Sequence, residues 1–191
     1  GKVLVDFDWP EYLDSFGFDP EKRDRIAKAT FQSPVWDERD RGVYEEEHYL
    51  KQFQELDPQD AADIEKVLKD SGRTIRKRPY ADTWIKYLKS RGYHVYILSN
   101  YSSYMLEHTK KELTFRKEMD GEVFSCHVKQ LKPEAEIYQT LLNMYDLKAD
   151  ECVFVDDRPE NCGGAESQGI HTICFKNFKQ ATAELEKLGV K

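Results

Sequence analysis

Two short polar segments that close apolar runs, and a Lys-Pro pair between them, carry residue types suited to handling a phosphoryl group. Asp156-Asp157 directly follows Cys152-Val153-Phe154-Val155. Two adjacent carboxylates repel each other unless a cation or hydrogen-bond donors compensate. Hard oxygen ligands that leave positions open for water and phosphate are what Mg²⁺ prefers. The plain alternative is a loop whose acids cap a helix beginning near Pro159. Ser99-Asn100 closes the run Val95-Tyr96-Ile97-Leu98 and offers a hydroxyl, an amide and loop N–H groups to phosphoryl oxygens. Serine and asparagine also end strands simply as turn formers. Lys132 precedes Pro133 at a predicted helix start, where the helix dipole disfavours a cation unless an anion sits there too. A solvated surface lysine is the alternative.

The elements that would position these residues follow from the apolar pattern. Residues 81–90 read as a helix with Trp84, Tyr87 and Leu88 on one side and a stop at Arg91-Gly92. Residues 95–98 form a short continuous apolar run, the signature of a parallel strand buried on both faces. Further strands are predicted over 123–126, 152–155 and 172–175, with helices over 133–145, 159–168 and 180–188. Alternation at this spacing implies right-handed βαβ units and an open parallel sheet. In such a sheet ligands bind beyond the carboxyl ends of the strands, which is where Ser99-Asn100 and Asp156-Asp157 fall.

Residues 9–78 have a different grammar. Asp8 before Trp9-Pro10-Glu11, and Asp19-Pro20-Glu21, each pair an N-cap with an early proline. Helices are predicted over 44–56 and from Asp57-Pro58 onward, the last with Ala61, Ile64, Val67 and Leu68 as its apolar stripe. The expected organisation is therefore an α/β core of residues 1–8 and 79–191, interrupted by an all-helical insert over 9–78.

In their order along the chain, Tyr96-Ile97-Leu98-Ser99-Asn100, Leu131-Lys132-Pro133-Glu134 and Val153-Phe154-Val155-Asp156-Asp157 resemble three motifs of the haloacid dehalogenase (HAD) superfamily. Asn161, Gly163-Gly164-Ala165 and Gly169-Ile170 resemble the helix and re-entry that follow. The Asp40-Arg41-Gly42 run resembles the cap of the YihX-like sugar-phosphate phosphatases within that superfamily. The resemblance implies a Rossmann-like three-layer core with a parallel sheet and an inserted helical cap. It also implies a phosphatase acting on small phosphate esters through an aspartyl-phosphate, with Mg²⁺ as cofactor. Lys132, Ser99 and Asn100 would bind and polarise the phosphoryl group. Asp157, helped by Asp156, would hold the metal, and Asn161 would support the acids. Trp36 and Arg41 are candidates to face substrate from the cap, although Trp36 can equally anchor the cap's own core and Arg41 can pair with Asp37 or Glu45.

The family's nucleophile is an aspartate at the end of a first strand. Asp6-Phe7-Asp8 has the Asp-x-Asp spacing, but Trp9-Pro10-Glu11 follows where Thr or Val and an aliphatic residue are expected. Gly1-Lys2-Val3-Leu4-Val5-Asp6 matches better the flap segment just after the nucleophile, which places that aspartate two positions before Gly1. Three rival readings remain: a dehalogenase, which the paired acids disfavour; a sugar-phosphate mutase; and a HAD-like binding or regulatory module without catalysis.

Composition narrows the partners. The formal net charge of −7 repels nucleic acid on average, while local donors can still bind a small phosphorylated metabolite. No apolar run approaches the length of a membrane span. The four cysteines lack CxxC spacing, so a disulfide framework or zinc site is not expected and a reducing cytoplasm fits. A monomer or homodimer is expected.

Overall fold

The computed structural model describes residues 2–190. Strand character is predicted from Lys2 onward, but the first strand is β1 (Val5–Phe7). It pairs antiparallel with β2 (Ile75–Lys77), in the register Val5↔Lys77, Asp6↔Arg76 and Phe7↔Ile75. The sequence pattern shows no strand at 75–77, because three residues flanked by Arg73 and Arg78 give no usable alternation. The two strands form the neck through which the chain leaves for, and returns from, the helical segment.

That segment consists of α1 (Trp9–Asp14), α2 (Pro20–Ala29), α3 (Pro34–Arg41), α4 (Glu46–Leu56) and α5 (Ala61–Lys69). The capping reading holds: Asp8 and Asp19 accept from the backbone N–H of Glu11 and Lys22. One apolar cluster serves all five helices, drawn from Tyr12 to Leu68 with Phe7 and Trp9 packed against it. The helix α3 escapes sequence reading for a physical reason. Its buried residues are Trp36, Arg39 and Asp40, so charges occupy the face where an apolar stripe would advertise a helix. Gly42, at φ +69°, ends α3 in the left-handed region.

The remainder alternates as expected: α6 (Ala81–Ser90), β3 (Tyr96–Ser99), α7 (Ser103–His108), β4 (Gly121–Phe124), α8 (Ser125–Val128), α9 (Ala135–Met144), β5 (Val153–Asp156), α10 (Pro159–Glu166), β6 (His171–Cys174) and α11 (Phe178–Lys187). Most predicted boundaries shift by one or two residues, and two of these shifts bear on the site. Ser125 and Cys126 leave the predicted strand to begin α8, and α9 starts at Ala135, leaving Lys132 and Pro133 in the preceding loop. The short helix α7 is also not foreseen; Ser102 caps it by accepting from Met105 N–H.

Strand β3 runs parallel to β4, and β5 parallel to β6, with Ser99 opposite Phe124 and Asp156 opposite Cys174 at the carboxyl ends. Among the described residues β3 and β5 share no backbone ladder. Helices cover the strands through three apolar clusters centred on Ile85 and Phe124, on Ile137 and Tyr138, and on Trp84 and Ile173. Among the described residues no helix is long and apolar enough to cross a membrane.

Candidate active site

Lys132 bridges the two parallel pairs. Its Nζ donates to Asp156 Oδ2 at 2.7 Å, at the end of β5, and to the Leu98 carbonyl at 2.9 Å, near the end of β3. Both side chains are 1% exposed. The anion that a cation in this position requires is therefore Asp156. Burial alone would raise the Asp156 carboxyl, but the Lys132 ammonium overcomes it and holds the group well below the usual carboxylate range.

The two adjacent acids have different roles in the fold. Asp156 spends its second oxygen on the Arg158 N–H at 3.0 Å and Asn161 Nδ2 at 2.9 Å. Asp157 is only half-buried, and its Oδ1 accepts from the Lys2 N–H at 3.0 Å. Asn161 is buried on α10, and its Oδ1 has no hydrogen-bond partner among the described residues. No group of three or more His, Cys, Asp or Glu side chains with metal-ligand placement occurs among the described residues. The donor set nevertheless fits Mg²⁺, which commonly takes one or two carboxylates and leaves other positions to water and substrate phosphate. Asp157 can supply that carboxylate, whereas both Asp156 oxygens are already engaged.

Asn100 also differs from a free donor. Its Nδ2 donates to the Lys132 carbonyl at 3.0 Å, and its Oδ1 accepts from the Lys132 N–H at 2.8 Å. This two-bond clasp, from side-chain amide to peptide, fixes the loop that carries the lysine. Ser99 is half-buried at the end of β3, and its Oγ makes a long 3.4 Å bond to the Asn100 carbonyl. Behind the loop, α10 presses on Pro133: a Cβ on Gly164 would lie 2.6 Å from the Pro133 carbonyl oxygen. Only glycine permits that approach.

Helix α3 lies across this region. At one end Asp37 stands 3.9 Å from Arg158, next to the paired acids. At the other, Arg41 makes a two-pronged ion pair with Glu134, Nη1 to Oε2 at 2.9 Å and Nη2 to Oε1 at 2.6 Å. Arg41 also contacts Glu38, but its strong partner is Glu134, neither of the two acids considered from sequence. Trp36 is 9% exposed and packs among Phe7, Phe31 and Phe53. The sequence alternative in which it anchors the helical segment's own core thus describes its position.

Asp40 belongs to the Asp40-Arg41-Gly42 run but is not among the residues expected to be functional. Its carbonyl accepts from Ser125 Oγ at 2.6 Å, and its carboxylate accepts from the Ser102 N–H. Burial pushes the carboxyl up to about 7, against the opposing pull of Arg39. Arg39 is itself 1% exposed, paired with Glu46 and placed over the rings of Trp36 and Tyr104. Glu134, the other unmarked residue, is held below the usual carboxylate range by Arg41. No local signal reveals either role, since Ser102 and Ser125 are remote from Asp40, and Arg41 from Glu134, along the chain.

A family model described as haloacid dehalogenase-like hydrolase matches residues 10–169. The chain belongs to that family. Three similarities frame the chain further. It is 30% identical over 172 residues to mouse acyl-CoA dehydrogenase family member 10, covering 85% of this chain but 16% of that protein. It is 23% identical over 157 residues to the sesquiterpene phosphatase AstK of Aspergillus oryzae, covering 82% and 80% of the two chains. A HAD family enzyme of Bacteroides thetaiotaomicron, solved in complex with magnesium and inorganic phosphate, superposes with a TM-score of 0.69 at 20% identity, over 92% of this chain and 90% of that one. This last similarity shows the HAD-like α/β fold alone. The chain thus spans about one sixth of the length of its mouse relative.

Proposed function

We propose that this hydrolase is a Mg²⁺-dependent phosphatase of small phosphate esters, with α1–α5 acting as a cap over the strand ends. The observation that carries the reading is the Lys132 ammonium, buried at the carboxyl ends of β3 and β5 between Asp156 and the Leu98 carbonyl. A cation fixed in a site shielded from water stabilises phosphoryl charge strongly, because it needs no reorganisation during the reaction. Phosphoryl transfer depends mostly on such positioning and charge stabilisation.

Each remaining residue has a task that its geometry supports. Asp156 orients the lysine while Asn161 and the Arg158 N–H satisfy its other oxygen. Asn100 fixes the lysine's backbone, so the role left for its side chain is positioning, and the direct hydroxyl donor to phosphate is Ser99. Asp157 would hold Mg²⁺, which when bound supplies charge neutralisation between the phosphate and an attacking carboxylate. Asp6 is engaged with Arg78 at 2.7 Å in the β1–β2 neck, a position that suits the flap reading and not a nucleophile at a parallel-strand end. The phosphatase relative in Aspergillus oryzae and the phosphate-bound structural neighbour point the same way. YihX-like sugar-phosphate specificity remains part of the proposal.

The test is phosphate release from a panel of phosphomonoesters by the full natural chain, with and without Mg²⁺. Halide release from 2-haloacids is followed in parallel. The expected result is metal-dependent phosphate release that Asp157→Asn and Lys132→Met abolish. Halide release without metal, or isomerised sugar phosphate without free phosphate, would replace the proposal with a dehalogenase or a mutase.

A further inference from the structure

We infer that Arg41 is a positioning residue: it fixes the Lys132 loop through Glu134 and so ties that lysine's placement to the seating of the cap. The inference deepens the phosphatase reading and rests on it for its functional consequence, though not for its structural content. Lys132 lies between two clamps. On one side Asn100 holds its N–H and carbonyl. On the other Glu134 folds back, its Oε2 accepting from the Leu131 N–H at 3.1 Å, and Arg41 grips the same carboxylate with both prongs. The fork matters, because a planar guanidinium fixes a carboxylate in orientation as well as distance, which an ammonium does not.

The end of α3 that presents Arg41 is firmly seated. Ser125 Oγ donates to the Asp40 carbonyl at 2.6 Å, and Lys129 Nζ donates to the Gly42 carbonyl. Gly42 lies so close to α8 that a Cβ there would sit 3.0 Å from Cys126 Cβ. Displacing α3 must therefore pull Arg41 from Glu134 and loosen the loop from residue 131 to 134. A displacement of about 1 Å at a catalytic group can cost about 100-fold in rate, so the linkage would make Lys132 fully effective only beneath a seated cap.

The test combines amide hydrogen exchange with steady-state kinetics on Arg41→Ala, Glu134→Gln, their double variant and the swap Arg41→Glu/Glu134→Arg. Both single variants should accelerate exchange of the Leu131 and Lys132 amides about 10-fold, leaving β5 and β6 amides unchanged. The double variant should be no faster than either single one, and the swap should recover part of the protection. In kinetics, kcat should fall with KM little altered, again without additivity. Unchanged exchange at 131 and 132 in either single variant overturns the inference, as do additive losses in which only Arg41→Ala raises KM, the signature of direct substrate contact. Altered exchange in a protein that releases no phosphate would uphold the positioning role and remove the phosphatase reading.

Discussion

Replacing Asp40 by Asn should raise stability in alkaline buffer and leave it nearly unchanged in acid. The carboxyl is buried under α3, and its folded pKa is raised from 3.8 to about 7, chiefly by desolvation. A group whose pKa is higher in the folded state contributes stability that is complete below the unfolded value and is lost as pH rises through the folded one. A rise of about three units corresponds to on the order of 4 kcal/mol, given up progressively between about pH 4 and pH 7. Asparagine has the shape of the neutral acid, cannot ionise, and keeps an oxygen for the Ser102 N–H. The assay is urea unfolding followed by tryptophan fluorescence across that range and up to pH 8.5. The two proteins should be nearly equal around pH 4, with the Asn variant gaining steadily to an advantage of up to about 4 kcal/mol above pH 7. Parallel curves, offset equally at every pH, would refute the reasoning: Asp40 would then be ionised throughout, its charge compensated by Arg39, Lys132 and the Ser102 N–H.

Other expectations follow from the same contacts. Lys132→Met leaves Asp156 buried without its counter-ion and should cost about 3–5 kcal/mol in urea unfolding, besides abolishing phosphate release. Asn100→Ala removes both bonds of the clasp, leaving the Lys132 peptide groups unpaired; a loss of about 1–3 kcal/mol and a lower kcat are expected, with KM less affected. Trp36→Ala should cost about 3–5 kcal/mol by leaving a cavity among Phe7, Phe31 and Phe53, without changing the order of preference among phosphate esters. Gly164→Ala forces a Cβ against the Pro133 carbonyl and should lower stability by about 1–3 kcal/mol, read as a drop in melting temperature.

The placement of the candidate residues is legible because strand ends punctuate an α/β chain. Ser99-Asn100 and Asp156-Asp157 each terminate an apolar run, and Lys132 meets Pro133 between them; each alone has a plain alternative, and it is their order, resembling the family's motifs, that selects them. Their division of labour was not legible. Adjacent aspartates look alike in sequence, yet Asp156 turns inward to Lys132 while Asp157 stays half-buried. An amide at a strand end is a candidate phosphate donor by sequence; the two bonds of Asn100 to the Lys132 peptide depend on loops that meet only in the folded chain.

The helical segment gives the same lesson at larger scale. Proline and aspartate grammar placed α1 and α2, and apolar spacing placed α4 and α5, because those signals act within one or two turns. Helix α3 stays hidden, since Arg39 and Asp40 occupy its buried face, where Glu46 pairs with Arg39 and the remote Tyr104, Ser102 and Ser125 complete the contacts. Local periodicity and capping thus determine most of the elements and the polar residues that end them, though not α3, α7 or β2. Tertiary structure decided which of those residues are spent on one another, because the pairing of buried charges depends on distances that no linear spacing encodes.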